Sequence, residues 1–460
     1  MKLPDPPFAR GLTRTAQDLR QGRATAAGLM QATLARIDAL EPRLQAFTHR
    51  DAERAMRQAR AIDGLLASGI DLGPLMGVAI AAKDLLTVDG MPTTAGSRVD
   101  IQDLVPPEGS FVRALKRAGC VILGKTRTSE FALGGYNPTH PLPWNPCDTD
   151  TPRMTGGSSH GSAVAMAAGL AGFTVGSDTG GSVRWPAALC GVVGFKASNT
   201  HWPCDGVFPM SPAMDSLGIF TGSAHDAAAV EAALAGRALR APASVAGLRL
   251  AWPVRHFMDN LDSTVAACFA EALRRLREAG ARIVEIDVPE AAEIDAIFRC
   301  LVPADIVAFL GRERIERQAD RLDPVAASRL SGAAGLPAED YARLAARRQN
   351  LVRLMLDRAP GADAWITPTV PEVPRPVAEF SSLDSVAAWN RLATQNTRPG
   401  NLFDQCGISL PVQHLRGGNL PVGLQLCAPS GRDEALLRTA CAVEDLLGRP
   451  DSSTLDGFVR

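Results

Sequence analysis

An α/β fold is predicted from three features of this chain. Short apolar runs of five to eight residues recur, and the first of them, GVAIAAK at 77–83, has the unbroken hydrophobicity of a strand buried on both faces. Helix-patterned segments feed into such runs through an Ala-Gly step, once before VILGK at 121–125 and again before ARIVEIDV at 281–288. No internal repeat or low-complexity linker separates these units, so they belong to one large domain.

The elements follow in order. Residues 13–66 carry Leu19, Leu29, Leu34, Ile37 and Leu40 at helix-like intervals, with Arg and Asp on the other face, which predicts helix throughout. After the strand at 77–83, the turn-like VPPEGS leads into the helix SFVRALKRAGC, with Ser110 as its expected N-cap. Residues 263–279 read as a helix through Val265, Cys268, Leu273 and Leu276, and 289–355 as largely helical. DAWITP at 363–368 is a buried strand closed by proline, and ISLPV, PVGLQLCAP and the helix DEALLRTACAVEDLL complete the chain. The expected division is an N-terminal helical part over 1–70, a core over 71–225, a largely helical insertion over 226–360, and closing strands and helix over 361–460.

Composition excludes several classes of function. The chain has 460 residues, 46% hydrophobic and 21% charged, with a formal net charge of −1. That balance leaves no electrostatic footprint for nucleic acid or an anionic membrane. Its nine cysteines form no C-x-x-C pair and no His/Cys cluster at zinc spacing, so no metal site and reduced, cytoplasmic thiols are expected. The segment MKLPDPPFARGLTRTAQDLR has no apolar core of a signal peptide, and no run approaches the length of a membrane span. Lysine is scarce, occurring only at 2, 83, 116, 125 and 196.

That scarcity draws attention to Lys83, which ends an apolar strand. Burial penalises an ammonium and would lower its pKa from about 10.4, leaving an amine able to act as a base towards a serine; a snorkelling or paired lysine is the plainer alternative. Residues 156–191 then place Gly-Gly-Ser twice, at Gly156-Gly157-Ser158 and Gly180-Gly181-Ser182, around a small-residue apolar stretch. A flexible linker does not carry AVAMAAGLAGF. The first end also fits G-x-S-x-G through Gly157, Ser159 and Gly161, but the loop NPCDTDTPRMTG stands where a nucleophile elbow needs a strand. Ser162 occupies the lysine position of a phosphate loop, so no Walker motif exists. In GSDTGGS, two residues without Cβ precede a hydroxyl, which lets successive N–H groups converge on an anion beside their own nucleophile; a tight turn would read similarly.

Residues 156–191, with the Ser-Ser pair, GSDTGGS, Arg-x-Pro-Ala and the closing Cys-Gly, resemble the signature of the amidase signature family. GPLMGVAIAAKDLLTVDGMPTTAGS, GVFPMSPAMDSLGIF and LPVGLQLCAP resemble further segments of that family in its order, so the resemblance spans most of the chain. It implies a large mixed twisted central sheet covered by helices on both faces, and hydrolysis of a small-molecule amide without a cofactor. It also implies Ser182 as nucleophile, Ser158 (after a cis peptide) as bridging serine and Lys83 as base, with the N–H groups of Thr179, Gly180, Gly181 and Ser182 as oxyanion hole. Ser159 competes with Ser158 for the bridging role, and the family's spacing selects Ser158. Tyr136, Ser159, His160 and Trp185 are candidates for the acyl pocket. His160 departs from the family's usual Gly or Ser and is read either as pocket-lining or, with slight preference, as a surface residue; a Ser-His-Asp arrangement using it is a further reading. Asp404 and Cys406 replace a common glycine and proline. The functional alternative is the glutaminase component of the tRNA-dependent amidotransferase, its A chain, whose signature commonly reads Arg-Gln-Pro-Ala where this chain has Arg184-Trp185-Pro186-Ala187. A homodimer is compatible with either reading.

Overall fold

The computed structural model describes residues 3, 5–333, 335–451 and 455–459. Among the described residues eleven strands form one sheet: β1 (Phe47–Arg50), β2 (Ala79–Lys83), β3 (Val121–Thr126), β4 (Phe173–Ser177), β5 (Val193–Lys196), β6 (Leu217–Thr221), β7 (Arg249–Pro253), β8 (Arg282–Ile286), β9 (Ala364–Pro368), β10 (Gln405–Pro411) and β11 (Gly423–Pro429). Their spatial order is β1-β3-β2-β4-β6-β5-β10-β11-β9-β7-β8. The sheet is mixed. β3, β2 and β4 run parallel, as do β8, β7 and β9, and antiparallel pairs join the two groups and add β1 at one edge.

Helices cover both faces, and the alternation of side chains along single strands shows it. Leu250, Ala364, Ile366 and Leu426 enter one apolar cluster, while their neighbours Ala251, Trp365 and Cys427 enter a second. The apolar runs read from the sequence are therefore strands buried on two sides. All four expected stretches of the chain contribute strands to this one sheet, including 226–360, which supplies β7 and β8 as well as its helices.

Two local expectations are corrected. Residues 13–66 are not continuously helical: helices Leu12–Arg20, Ala26–Leu44 and Ala52–Ala67 flank β1, whose Phe47–Arg50 segment pairs with β3. Ser110 does not cap its helix. Gly109 is the N-cap, and Ser110 begins the helix with its N–H and hydroxyl both donated to the Asp205 carboxylate, 2.8 Å away at the N–H. A distant acid has taken over the capping role that local pattern assigned to serine.

The arrangement that positions the site is the parallel pairing of β2 with β4. Ala82 lies opposite Val175, so both strands end at the same rim, one with Lys83 and the other with Ser177. Loops at the carboxyl ends of parallel strands are where open α/β sheets present chemistry. The helix His160–Ala167 packs across β2, β3 and β4, with Ala163, Val164 and Ala165 fully buried, and its N-terminus delivers Ser158 and Ser159 to that rim. No helix among the described residues is long and apolar enough to cross a membrane.

The Phe220 side chain on β6 is fully buried in the larger cluster. Phe220→Ala is expected to cost about 3–5 kcal/mol, read as a lower midpoint in chemical denaturation followed by tryptophan fluorescence. An unchanged midpoint would contradict this description of the core.

Candidate active site

Three of the four lysines among the described residues are buried: Lys83, Lys125 and Lys196. Their partners separate them. Lys125 pairs with the Asp84 carboxylate at 2.9 Å and also reaches Thr93 and the Pro92 carbonyl. Lys196 donates to the carbonyls of Ala197 and Gln405 and to Asn199. Among the described residues Lys83 donates only to two hydroxyls, Ser158 Oγ at 2.7 Å and Ser177 Oγ at 2.9 Å. Burial pushes the Lys83 ammonium down to about 7, against the opposing pull of the more distant Asp178 and Asp215 carboxylates. An amine in that position can hold or release a proton near neutrality.

Ser182 lies on the loop between β4 and the helix Arg184–Cys190. It is partly exposed, whereas Lys83 and Ser158 are fully buried, and its hydroxyl has no hydrogen-bond partner among the described residues. The Ser182 carbonyl accepts the Ser159 N–H at 3.3 Å, which lays the two serine loops side by side. The peptide between Gly157 and Ser158 is cis.

A buried acid organises the Ser182 loop. Asp178 accepts the N–H groups of Gly181 at 2.8 Å, Val183 at 3.1 Å and Arg184 at 3.3 Å, and the Arg184 guanidinium through Nε and Nη2. Burial alone would raise its pKa, but Arg184 beside it holds the carboxyl well below the usual carboxylate range. Arg184 is tied in turn to Asn401 Oδ1 at 2.7 Å and Gln425 Oε1 at 2.9 Å. Because Gly181 N–H is given to Asp178, the loop N–H groups left without an acceptor among the described residues are those of Thr179, Gly180 and Ser182, three of the four expected from sequence. Gly181 itself admits no side chain: its φ is +119°, and a Cβ would stand 2.0 Å from Thr397 Oγ1. Thr179 is oriented by its hydroxyl bond to Asp215 at 2.5 Å, and burial raises Asp215 to about 6 against that bond and two backbone N–H bonds.

The expected pocket residues divide. Ser159 is fully buried; its hydroxyl donates to the Ser177 carbonyl at 3.2 Å, so it joins the helix start to β4. His160 is not a surface residue. It is 4% exposed as the first residue of its helix, and burial, with Lys83 and Arg127 nearby, pushes its imidazole down to about 3. Such a ring stays neutral, and among the described residues no carboxylate holds it in a Ser-His-Asp arrangement. Trp185 packs on Trp389 with ring centroids 4.9 Å apart and presses against Gly135, in a cluster that Tyr136 borders. Asp404 adopts φ +53°, the left-handed conformation for which a glycine is suited and which aspartate tolerates better than most residues. Among the described residues no group of His, Cys, Asp and Glu is arranged to hold a metal ion.

Sequence reading passed over Ser177, Asp178 and Arg184 as working parts. A signal for two of them existed: Asp178 and Arg184 are the only Asp, Glu, Lys or Arg between 156 and 191, in a segment otherwise small and apolar, which marks a buried pair. Asn401 and Gln425 are remote in sequence and carry no local signal.

The rim of parallel strands thus brings together a buried amine, two adjacent serine loops and a row of loop N–H groups without an acceptor among the described residues. A family model described as Amidase matches residues 28–437, and the chain belongs to that family. It is 36% identical over 450 residues to 2-amino-5-chloromuconic acid deaminase of Comamonas testosteroni, covering 95% of this chain and 96% of that one. It is 33% identical to the A chain of the glutamyl-tRNA(Gln) amidotransferase of Salinispora arenicola, over 93% of this chain and 95% of that one. Among solved structures, an amidase superposes with a TM-score of 0.86 at 30% identity, covering 95% of this chain and all of that one. The peptide amidase of Stenotrophomonas maltophilia superposes at 0.83 and 26% identity, covering 98% of this chain and all of that one. The protein is a hydrolase acting on carbon–nitrogen bonds.

Asp178→Asn leaves the Arg184 guanidinium buried without a counter-charge and loosens the Ser182 loop. It is expected to cost about 3–5 kcal/mol, measured by denaturant unfolding, and to lower kcat under conditions where the protein is still folded. Wild-type stability in this variant would show that the pair does not hold the loop.

Proposed function

We propose that the protein is a free-standing amidase that hydrolyses small-molecule amides through an acyl-enzyme on Ser182. The observation that carries this reading is the Lys83–Ser158 hydrogen bond of 2.7 Å, made by an amine that no carboxylate pairs, beside a partly exposed serine whose hydroxyl is unengaged. Lys83, neutral, accepts the Ser158 proton while Ser158 accepts that of Ser182. The Ser182 hydroxyl, free to rotate, turns to Ser158 and its oxygen bonds to the amide carbon. Negative charge on the former carbonyl oxygen meets the N–H groups of Thr179, Gly180 and Ser182. The C–N bond then breaks as Ser158 passes a proton to the leaving nitrogen and recovers one from the Lys83 ammonium. Water, deprotonated by the same relay, attacks the acyl ester and releases the carboxylic acid. Ser177 holds the second side of the Lys83 amine and keeps its lone pair directed at Ser158.

The glutaminase component of an amidotransferase is the second reading, favoured by the 33% identity to such chains. Against it stands Trp185, whose ring fills the space between Gly135 and Trp389. Hydrolysis of simple amides by the purified chain supports the first reading; activity that appears only with copurified partner proteins supports the second.

Ser182→Ala is expected to abolish turnover with the fold retained, and a fluorophosphonate probe should label Ser182; labelling at Ser159 would move the nucleophile. Activity should also survive exhaustive chelation with EDTA, whereas loss restored by a divalent ion would contradict the serine mechanism.

The relay works only with Lys83 deprotonated. Below about 7 the ammonium predominates and cannot accept a proton, so kcat/KM should rise with pH through that value and level off above it. Lys83→Ala should remove this limb with most of the rate, and Lys83→Arg should not restore activity, because guanidinium stays charged. Substantial activity in Lys83→Arg would make the lysine an electrostatic support and not the base.

A further inference from the structure

Two arginines border the serine loops and have no part in the proton relay. Arg398 starts the helix Arg398–Leu402 and is 5% exposed. Its guanidinium lies 4.7 Å over the Phe298 ring and donates through Nη1 to Asp295, while its Nε is buried without a partner. A Cβ at Gly180 would stand 2.6 Å from the Phe298 ring and 3.5 Å from Arg398 Cγ, so this pair flanks the loop that leads into Ser182. Arg329, on the helix Pro324–Ala333, comes from the other side. Its Nη2 lies 3.5 Å from the Cβ position of Gly134, and Gly134-Gly135 pack directly on Gly157, the residue before Ser158.

The charges here do not balance. Asp295 is shared between Arg398 and Arg299, the latter at 2.9 Å. Arg329 makes no hydrogen bond or ion pair among the described residues. Burial lowers both Arg329 and Arg398 to about 10, each opposed by Asp295, so both remain cationic at neutral pH. Asn390, whose Oδ1 accepts the Gly135 N–H at 3.0 Å, leaves Nδ2 buried and unpaired 3.2 Å from the same Gly134 Cβ position. Buried donors without acceptors are costly and rare. Arg398 Nε and Asn390 Nδ2 share that deficit, and the half-buried Arg329 adds a cation without an acceptor among the described residues, so the group lacks an acceptor carrying negative charge.

We propose that these three side chains bind a carboxylate carried by the substrate, so that the favoured substrates are monoamides of dicarboxylic acids. The proposal rests on the acyl-enzyme reading for the reacting end and adds the recognition of the other end. Guanidinium matches carboxylate geometry and stays charged when buried. An amide that also carries an ammonium, such as glutamine, is disfavoured, because Asp295 is already committed to two arginines.

The test compares kcat/KM for succinamate and glutaramate with that for butyramide and valeramide, in which a methyl replaces the carboxylate, and for glutamine. Wild-type enzyme should favour the acid amides over the neutral ones by about tenfold or more, the range of one or two charge-assisted hydrogen bonds. Arg329→Gln and Arg398→Gln should each lower that ratio by about tenfold or more, mainly through KM for the acid amide, with Arg329→Lys intermediate. Equal or better use of neutral amides by the wild-type enzyme overturns the inference without any variant having to fold. So does a ratio unchanged in both Gln variants, or a preference for glutamine. Hydrolysis that persists in Ser182→Ala would instead remove the acyl-enzyme reading and leave the ratio to stand or fall separately.

Discussion

Everything at the site depends on one amine taken out of water without a counter-charge. Lys83 ends β2 inside the sheet, fully buried, and its contacts are hydroxyls. Lys125 and Lys196, equally buried, are met by a carboxylate or by carbonyl oxygens, groups that favour the ammonium. A hydroxyl can accept from an ammonium or donate to an amine, so it tolerates either state and penalises neither. Of the remaining influences, the more distant Asp178 and Asp215 carboxylates favour the ammonium, and burial, the larger effect, favours the neutral form.

That arrangement is held from two directions. Parallel pairing of β2 and β4 sets Lys83 against Ser177 with no loop between them, so the amine is aimed by the sheet. The opposing serine loop is anchored by the buried Val183 and held by polar bonds to Asp178. One carboxylate gathers three backbone N–H groups and the Arg184 guanidinium, and Asn401 links the same acid to the helix Arg398–Leu402. This commitment of Asp178 has a chemical consequence: it uses the Gly181 N–H and leaves the three on either side free. Rigidity and an anion-accepting surface come from the same residue.

Much of the fold was legible because its strands are buried on both faces and read as unbroken apolar runs. GVAIAAK, VILGK and DAWITP all appear as strands, offset by a residue or two. β1 was not legible, since FTHR has no apolar run and exists as a strand through its pairing with β3. Ser110 misled for a related reason: Asp205, far along the chain, supplies the cap. At the site, Lys83, Ser158 and Ser182 stood out through scarce lysine and the two Gly-Gly-Ser ends, and the structure brings Lys83 and Ser158 into contact. The surface placement favoured for His160 was wrong, because a polar residue at a helix start gives no sign of what will be packed over it. Arg329, Arg398 and Asn390 lie in arginine-rich or mixed helical stretches where nothing local distinguishes a surface polar residue from one packed beside the glycines of the serine loops.

The protonation state of Lys83 is the claim from which the others follow, and the composition makes it directly measurable. With only five lysines, the protein labelled with 13C at the lysine Cε should give five resolvable 1H–13C correlations, assignable by single Lys→Arg variants. One of them, lost in Lys83→Arg, is expected to titrate near pH 7. A Lys83 signal that keeps the shift of an ammonium up to pH 9 would contradict the account, because the relay would then have no base.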